Sequence, residues 1–233
     1  MRLRRPAAPG VVLAAVLAVL ALANLAESGF LPSWGPAGSL VVIAVLCGIV
    51  RWAGGSREDV GLGAGTVRRG AVWALALTGI VASVYLIGAL LPLTRELFSD
   101  RLTAHLDGGQ LALHMLVQVP LGTMLLEEFA FRGVLYGLVR RYSGTATATA
   151  VSSVLFGLWH LLPALVAPSA RTPGAAHLPA GALPLGVVLF TTAAGVFLCE
   201  LRRRSDSLLA PMGLHWATNA LGYLTAFVLA CLG

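Results

Sequence analysis

Charge is scarce in this chain. Only 11% of its 233 residues are Asp, Glu, Lys or Arg, and lysine is absent altogether. Soluble globular domains carry about 25% charged residues. With 58% hydrophobic residues and a mean hydropathy of +0.85, a soluble domain is excluded. Cysteine is also sparse. Cys47, Cys199 and Cys231 lie in apolar runs without metal-ligand or disulfide-framework spacing, and they read as small buried apolar residues. No HExxH and no GxSxG occurs, so neither the helical zinc-protease signature nor a nucleophile elbow is available. All 16 basic residues are arginine and mostly flank apolar runs, with no aromatic-interleaved basic stretch. The net charge of +6 therefore does not indicate nucleic acid as a partner.

What the chain does contain is a series of apolar segments, several near the ~20 residues that cross a bilayer. They run over about 10–26, 38–53, 71–93, 110–139, 146–167, 182–200 and 207–231. Gly and Pro punctuate the stretches between them, notably Gly54-Gly55, Gly108-Gly109, Pro168, Pro173 and Pro179. The pattern predicts an all-α polytopic transmembrane helical bundle of about seven spans, forming a single integral membrane domain over 1–233. An eighth span is expected if Pro120 breaks the fourth segment, whose 30 residues would reach ~45 Å as one helix.

Arginine placement sets the topology. Arg2, Arg4, Arg5, Arg51, Arg57, Arg68, Arg69, Arg140, Arg141 and Arg202 to Arg204 fall on one side, against Arg95, Arg101 and Arg171 on the other. Twelve against three predicts a multi-pass protein of the cell membrane with a cytoplasmic N-terminus. The Arg202–Arg204 run reads as a topology signal in contact with anionic lipid. The basic start followed by an apolar run ending Ala21-Leu22-Ala23 also has the form of a signal peptide. A retained helix is expected, because that run carries the first topogenic signal.

Against this background three polar interruptions stand out. Glu127-Glu128 with Arg132 lies in the fourth segment, Phe156 with His160 in the fifth, and His215 with Asn219 in the last. Ionisable side chains within the hydrocarbon region are costly and usually mark function. At ~1.5 Å per residue, Glu127 lies ~20 Å from the Arg140 end of its helix and His160 ~21 Å from Ala146. On the same scale, His215 and Asn219 lie ~12 Å and ~18 Å beyond Ser207. The positions thus share one slab of the membrane. Residues at i and i+4 share a helix face, so Glu128 can pair with Arg132, Phe156 packs beside His160, and His215 lies beside Asn219. Glu127 is turned ~100° from Glu128 and is left to face the cavity. His105, His114 and His177 match no motif.

The ordered motifs Glu127-Glu128-x-x-x-Arg132, Phe156-x-x-x-His160 and His215-x-x-x-Asn219, with the lead-in Ser207-Leu208-Leu209-Ala210-Pro211, resemble the CPBP family. That family comprises the type II CAAX prenyl endopeptidases and the bacteriocin-processing or bacteriocin-immunity (Abi) membrane proteins. The resemblance covers about 110–225 as a catalytic core, while 1–105 carries no specific match. It implies a peptide-bond hydrolase in which Glu127 activates water with help from His160, and His215 and Asn219 stabilise the oxyanion. Glu128, Arg132 and Phe156 then give structural support. The resemblance leaves the metal open: a metal-free site is expected, with Zn²⁺ on Glu127, His160 and His215 as the alternative. The expected partners are a peptide or protein substrate and the lipid bilayer. The Ala/Arg-rich composition is similar to that of GC-rich bacteria, which favours an endogenous membrane protein or peptide over a prenylated substrate. The rival reading is a non-catalytic membrane protein that confers bacteriocin immunity or binds a partner as a scaffold.

Overall fold

The structure, a computed structural model, describes residues 8–30, 35–98, 106–166, 179 and 181–232. Of the residues singled out above, Arg2, Arg4, Arg5, Arg101, His105, Pro168, Arg171, Pro173 and His177 lie outside the described residues.

Five helical runs are long and apolar enough to cross a membrane: Pro9–Gly29, Gly35–Trp52, Ala64–Leu90, Gly108–Val166 and Ala182–Ser205. The fourth, at 59 residues, is too long for one crossing. Gly144 divides it, with a φ of 79° that ordinary side chains rarely adopt. Seven rods result among the described residues. They are α1 (Pro9–Leu25), α2 (Gly35–Trp52), α3 (Val67–Leu90), α4 (108–143), α5 (145–166), α6 (Ala182–Ser205) and α7 (Leu209–Leu232). No strand occurs among the described residues. The chain is an all-α polytopic helical membrane protein.

Pro120 does not break α4. The helix widens over His114–Met124 instead, and the Leu125 N–H reaches back five residues to the Pro120 carbonyl. A proline ring clashes with the carbonyl four residues earlier, and a wider turn relieves that clash without ending the helix. The eighth crossing therefore does not form at this position. A second widened stretch, Glu128–Leu135, follows directly, closed by the Tyr136 N–H to the Phe131 carbonyl. Wide turns of this kind concentrate at functional sites.

Lipid-solvated helices gain little from apolar burial against one another and associate through close packing of small residues. A Cβ added to Gly157 of α5 would lie 2.0 Å from Thr192 Oγ1 and 2.8 Å from the Val188 carbonyl of α6. A Cβ on Gly213 of α7 would lie 2.4 Å from that of Ala74 of α3. These contacts bring α5 to α6 and α3 to α7. The α4 stretch 126–136 lies buried in the middle of the bundle.

Two sequence expectations are corrected. Arg202 is fully buried and does not face lipid. Its Nη1 donates to Asp206 at 3.4 Å, and its Nη2 donates to the Glu58 and Asp59 carbonyls at 3.4 and 3.5 Å, which anchors the 54–66 connection against the end of α6. Arg203 and Arg204 stay on the surface and pair with Glu200 at 2.6 and 2.5 Å. Among the cysteines only Cys199 is buried, while Cys47 and Cys231 are exposed. An apolar face turned to lipid satisfies their hydrophobicity as well as a core does.

Candidate active site

The wide turn that begins at Glu128 directs two adjacent carboxylates differently. Glu128 is fully buried and pairs with the equally buried Arg132 at 3.2 Å, one turn along α4. Glu127 keeps a tenth of its side chain exposed, toward a cavity of about 420 Å³. That cavity is also lined by His160 of α5, by His215 and Asn219 of α7, and by Tyr85 of α3. With Thr191 of α6, five helices contribute polar groups to one space.

Glu127 Oε2 lies 4.0 Å from His160 Nε2 and 3.8 Å from His215 Nε2. Both rings present Nε2 for the same reason, because each Nδ1 is engaged elsewhere. His215 Nδ1 donates to Glu128 Oε1 at 2.8 Å, and His160 Nδ1 donates to the Phe156 carbonyl at 2.8 Å. A carboxylate and a carbonyl can only accept, so in each ring Nδ1 carries the hydrogen. Glu128 therefore does more than neutralise Arg132; it also fixes the His215 ring.

Phe156 also does more than pack on His160. The Arg132 guanidinium stacks over its face, 3.8 Å from the ring centroid. The ring also meets His160 edge-on at 4.7 Å and His215 at 6.4 Å. An aromatic face accommodates the cation, and the same ring contacts both imidazoles. All seven residues named from the sequence motifs meet in this one region. Sequence reading missed Trp159, whose indole N–H donates to Glu127 Oε1 at 3.3 Å. Its position immediately before His160 was the available signal.

Zinc was the alternative cofactor. Among the described residues, no set of three or more His, Cys, Asp and Glu side chains is grouped to hold a metal ion. The spacings of 3.8 and 4.0 Å from Glu127 Oε2 to the two imidazoles are wider than the roughly 3.3 Å edge of a zinc tetrahedron with ~2.0–2.1 Å bonds. The three donors as they stand do not fit that ion.

No curated protein and no solved structure matches the sequence. Residues 109–221 match the family described as type II CAAX prenyl endopeptidase Rce1-like. The match spans α4 to α7 up to Leu221, which includes every motif residue around the cavity and leaves α1 to α3 outside it. An acid, two imidazoles and a carboxamide converging within a helical bundle suit amide hydrolysis in a membrane, and residues 109–221 carry a domain of the type II CAAX prenyl endopeptidase Rce1-like kind, a family of membrane proteases.

Proposed function

We propose that this protein is an intramembrane endopeptidase in which Glu127 activates the attacking water. Amide hydrolysis needs a base for the water, donors for the tetrahedral oxyanion and a proton for the leaving amine. Glu127 Oε2 stands within about 4 Å of both imidazoles at the edge of the cavity, and that arrangement is the observation that carries the reading. A water held between Glu127 and His160 Nε2 would pass its proton to the carboxylate, which then returns it to the departing nitrogen.

The two imidazoles take different roles because their Nδ1 partners differ. Beside His160 is a carbonyl that holds the Nδ1 hydrogen, so Nε2 is the nitrogen that accepts from the water. Beside His215 is a carboxylate, which orients the ring as the acid of a Ser-His-Asp triad does and accepts from Nδ1 in the doubly protonated ring that this mechanism uses. His215 Nε2–H and the Asn219 amide are then the donors to the oxyanion. No metal takes part in this mechanism. The substrate is a membrane-associated protein or peptide, reached from a multi-pass protein of the cell membrane with its N-terminus in the cytoplasm.

The test is the membrane proteome of cells carrying the wild-type protein, compared with cells carrying Glu127→Gln at equal abundance. The expected result is accumulation, in the variant, of one or a few membrane proteins or peptides that are otherwise cleaved. Identical proteomes, with the variant folded and present, would overturn the proposal.

A further inference from the structure

The family match begins at residue 109, yet one hydrogen bond ties the first helix to the site. Asn24 Nδ2, near the end of α1, donates to the Trp159 carbonyl at 2.8 Å across 135 residues of sequence. That carbonyl is open for a covalent reason. In a continuous helix it would accept from the N–H of residue 163, and residue 163 is proline, which has none. His160 marks the break: its own N–H turns back to the Gly157 carbonyl, three residues away, at 3.1 Å. A buried carbonyl without a partner is costly, and here the partner comes from α1.

The other end of the same residue reaches the catalytic carboxylate. The Trp159 indole donates to Glu127 Oε1, on the oxygen opposite the one that faces the imidazoles. Its ring is wedged against Phe131, with centroids 5.7 Å apart, so the indole has little freedom except as the backbone at residue 159 allows. Helix α1 itself is firmly seated, with Val12, Val16, Leu20 and Ala23 buried along one face that leads directly to Asn24. Asparagine in an apolar helix is expensive unless its amide finds a partner.

We infer that Asn24 and Trp159 are positioning residues: α1 completes the site by pinning the Trp159 backbone, so that the indole holds Glu127 in the orientation that faces His160 and His215. This rests on the reading of Glu127 as the base. It makes the first helix, which lies outside the family match, part of the working enzyme.

Trp159 is one of five tryptophans, so its indole N–H signal can be followed in the full-length protein, ¹⁵N-labelled at tryptophan in detergent micelles and assigned from its loss in Trp159→Phe. The expected result is a shift of that one signal in both Asn24→Leu and Glu127→Gln, with Asn24→Gln, which keeps an amide donor, close to wild type. In cells, Asn24→Leu and Trp159→Phe should each slow cleavage of the proteins that accumulate in Glu127→Gln by about tenfold. For Trp159→Phe that is the effect of one lost hydrogen bond to a carboxylate, and Asn24→Leu acts through the same indole. The double variant should be no slower than the worse single one. A Trp159 signal unmoved by Asn24→Leu, or additive losses in the double variant, would overturn the inference. If Glu127→Gln still cleaves while the indole signal moves, the hydrogen-bond chain stands and the role of Glu127 as base fails.

Discussion

His215 is held by Glu128 and faces Glu127. Its Nδ1 donates to Glu128 Oε1 at 2.8 Å, while its Nε2 stands 3.8 Å from Glu127 Oε2. Two carboxylates adjacent in sequence are thus separated by an imidazole into a buried support and a cavity-facing group. Removing the charge of each should have a different consequence. Glu128→Gln leaves the Arg132 guanidinium buried without its counter-ion, at a cost of about 3–5 kcal/mol. Glu127→Gln removes a partly exposed group with no ion pair to arginine. Thermal unfolding in detergent should show Glu128→Gln strongly destabilised and Glu127→Gln within about 1 kcal/mol of wild type. Equal destabilisation of the two variants would contradict this division.

Asn219 lines the cavity from the same α7 face as His215. On its proposed role as an oxyanion donor, Asn219→Ala should lower kcat about 10²–10³-fold with little change in KM. A change confined to KM would make it a substrate-binding residue instead.

Helix contacts built on glycine should respond to a single methyl group according to what that methyl meets. Gly157→Ala places it 2.0 Å from Thr192 Oγ1 and 2.8 Å from a backbone carbonyl, and should cost about 1–3 kcal/mol. Gly186→Ala, also in a helix but with nothing within 4 Å, should be neutral or stabilising by up to about 1 kcal/mol. Melting temperatures of the two variants check the contrast.

The 54–66 connection depends on Arg202. Gly61 packs directly on that guanidinium, and the Leu208 N–H donates to the Gly61 carbonyl at 2.8 Å. In Arg202→Ala the connection should loosen while α6 stays folded. Trypsin cleavage after the exposed Arg57 should then be several-fold faster than in wild type at unchanged helix content by circular dichroism.

Chelation addresses the cofactor independently. With the acid and imidazoles spaced wider than a zinc tetrahedron, cleavage should survive exhaustive treatment with a strong chelator. Elemental analysis of the purified protein should find well under one zinc per chain. A stoichiometric metal with chelator-sensitive activity would replace the metal-free mechanism.

The rods were legible because the bilayer dictates both length and polarity along one dimension. The apolar segment at 182–200 and the helix Ala182–Ser205 differ only where arginine extends the helix beyond the hydrophobic run. The motif positions were legible for the same reason, since an ionised side chain in an apolar span stands out and helical rise assigns it a depth. Arg202 was misread because its neighbours Arg203 and Arg204 are surface arginines. Nothing in the sequence of three arginines distinguishes the one facing inward.

By itself, the order of residues determined that the chain is a series of long apolar helices, the level at which Glu127, His160, His215 and Asn219 meet, and the pairing of Glu128 with Arg132, because each follows from periodicity and rise within a helix. The tertiary structure alone decided how α4 passes Pro120, that Glu128 orients His215, and that Asn24 serves the Trp159 carbonyl. Those outcomes depend on the rotation of each helix about its axis and on contacts between chain segments up to 135 residues apart, which no local pattern encodes.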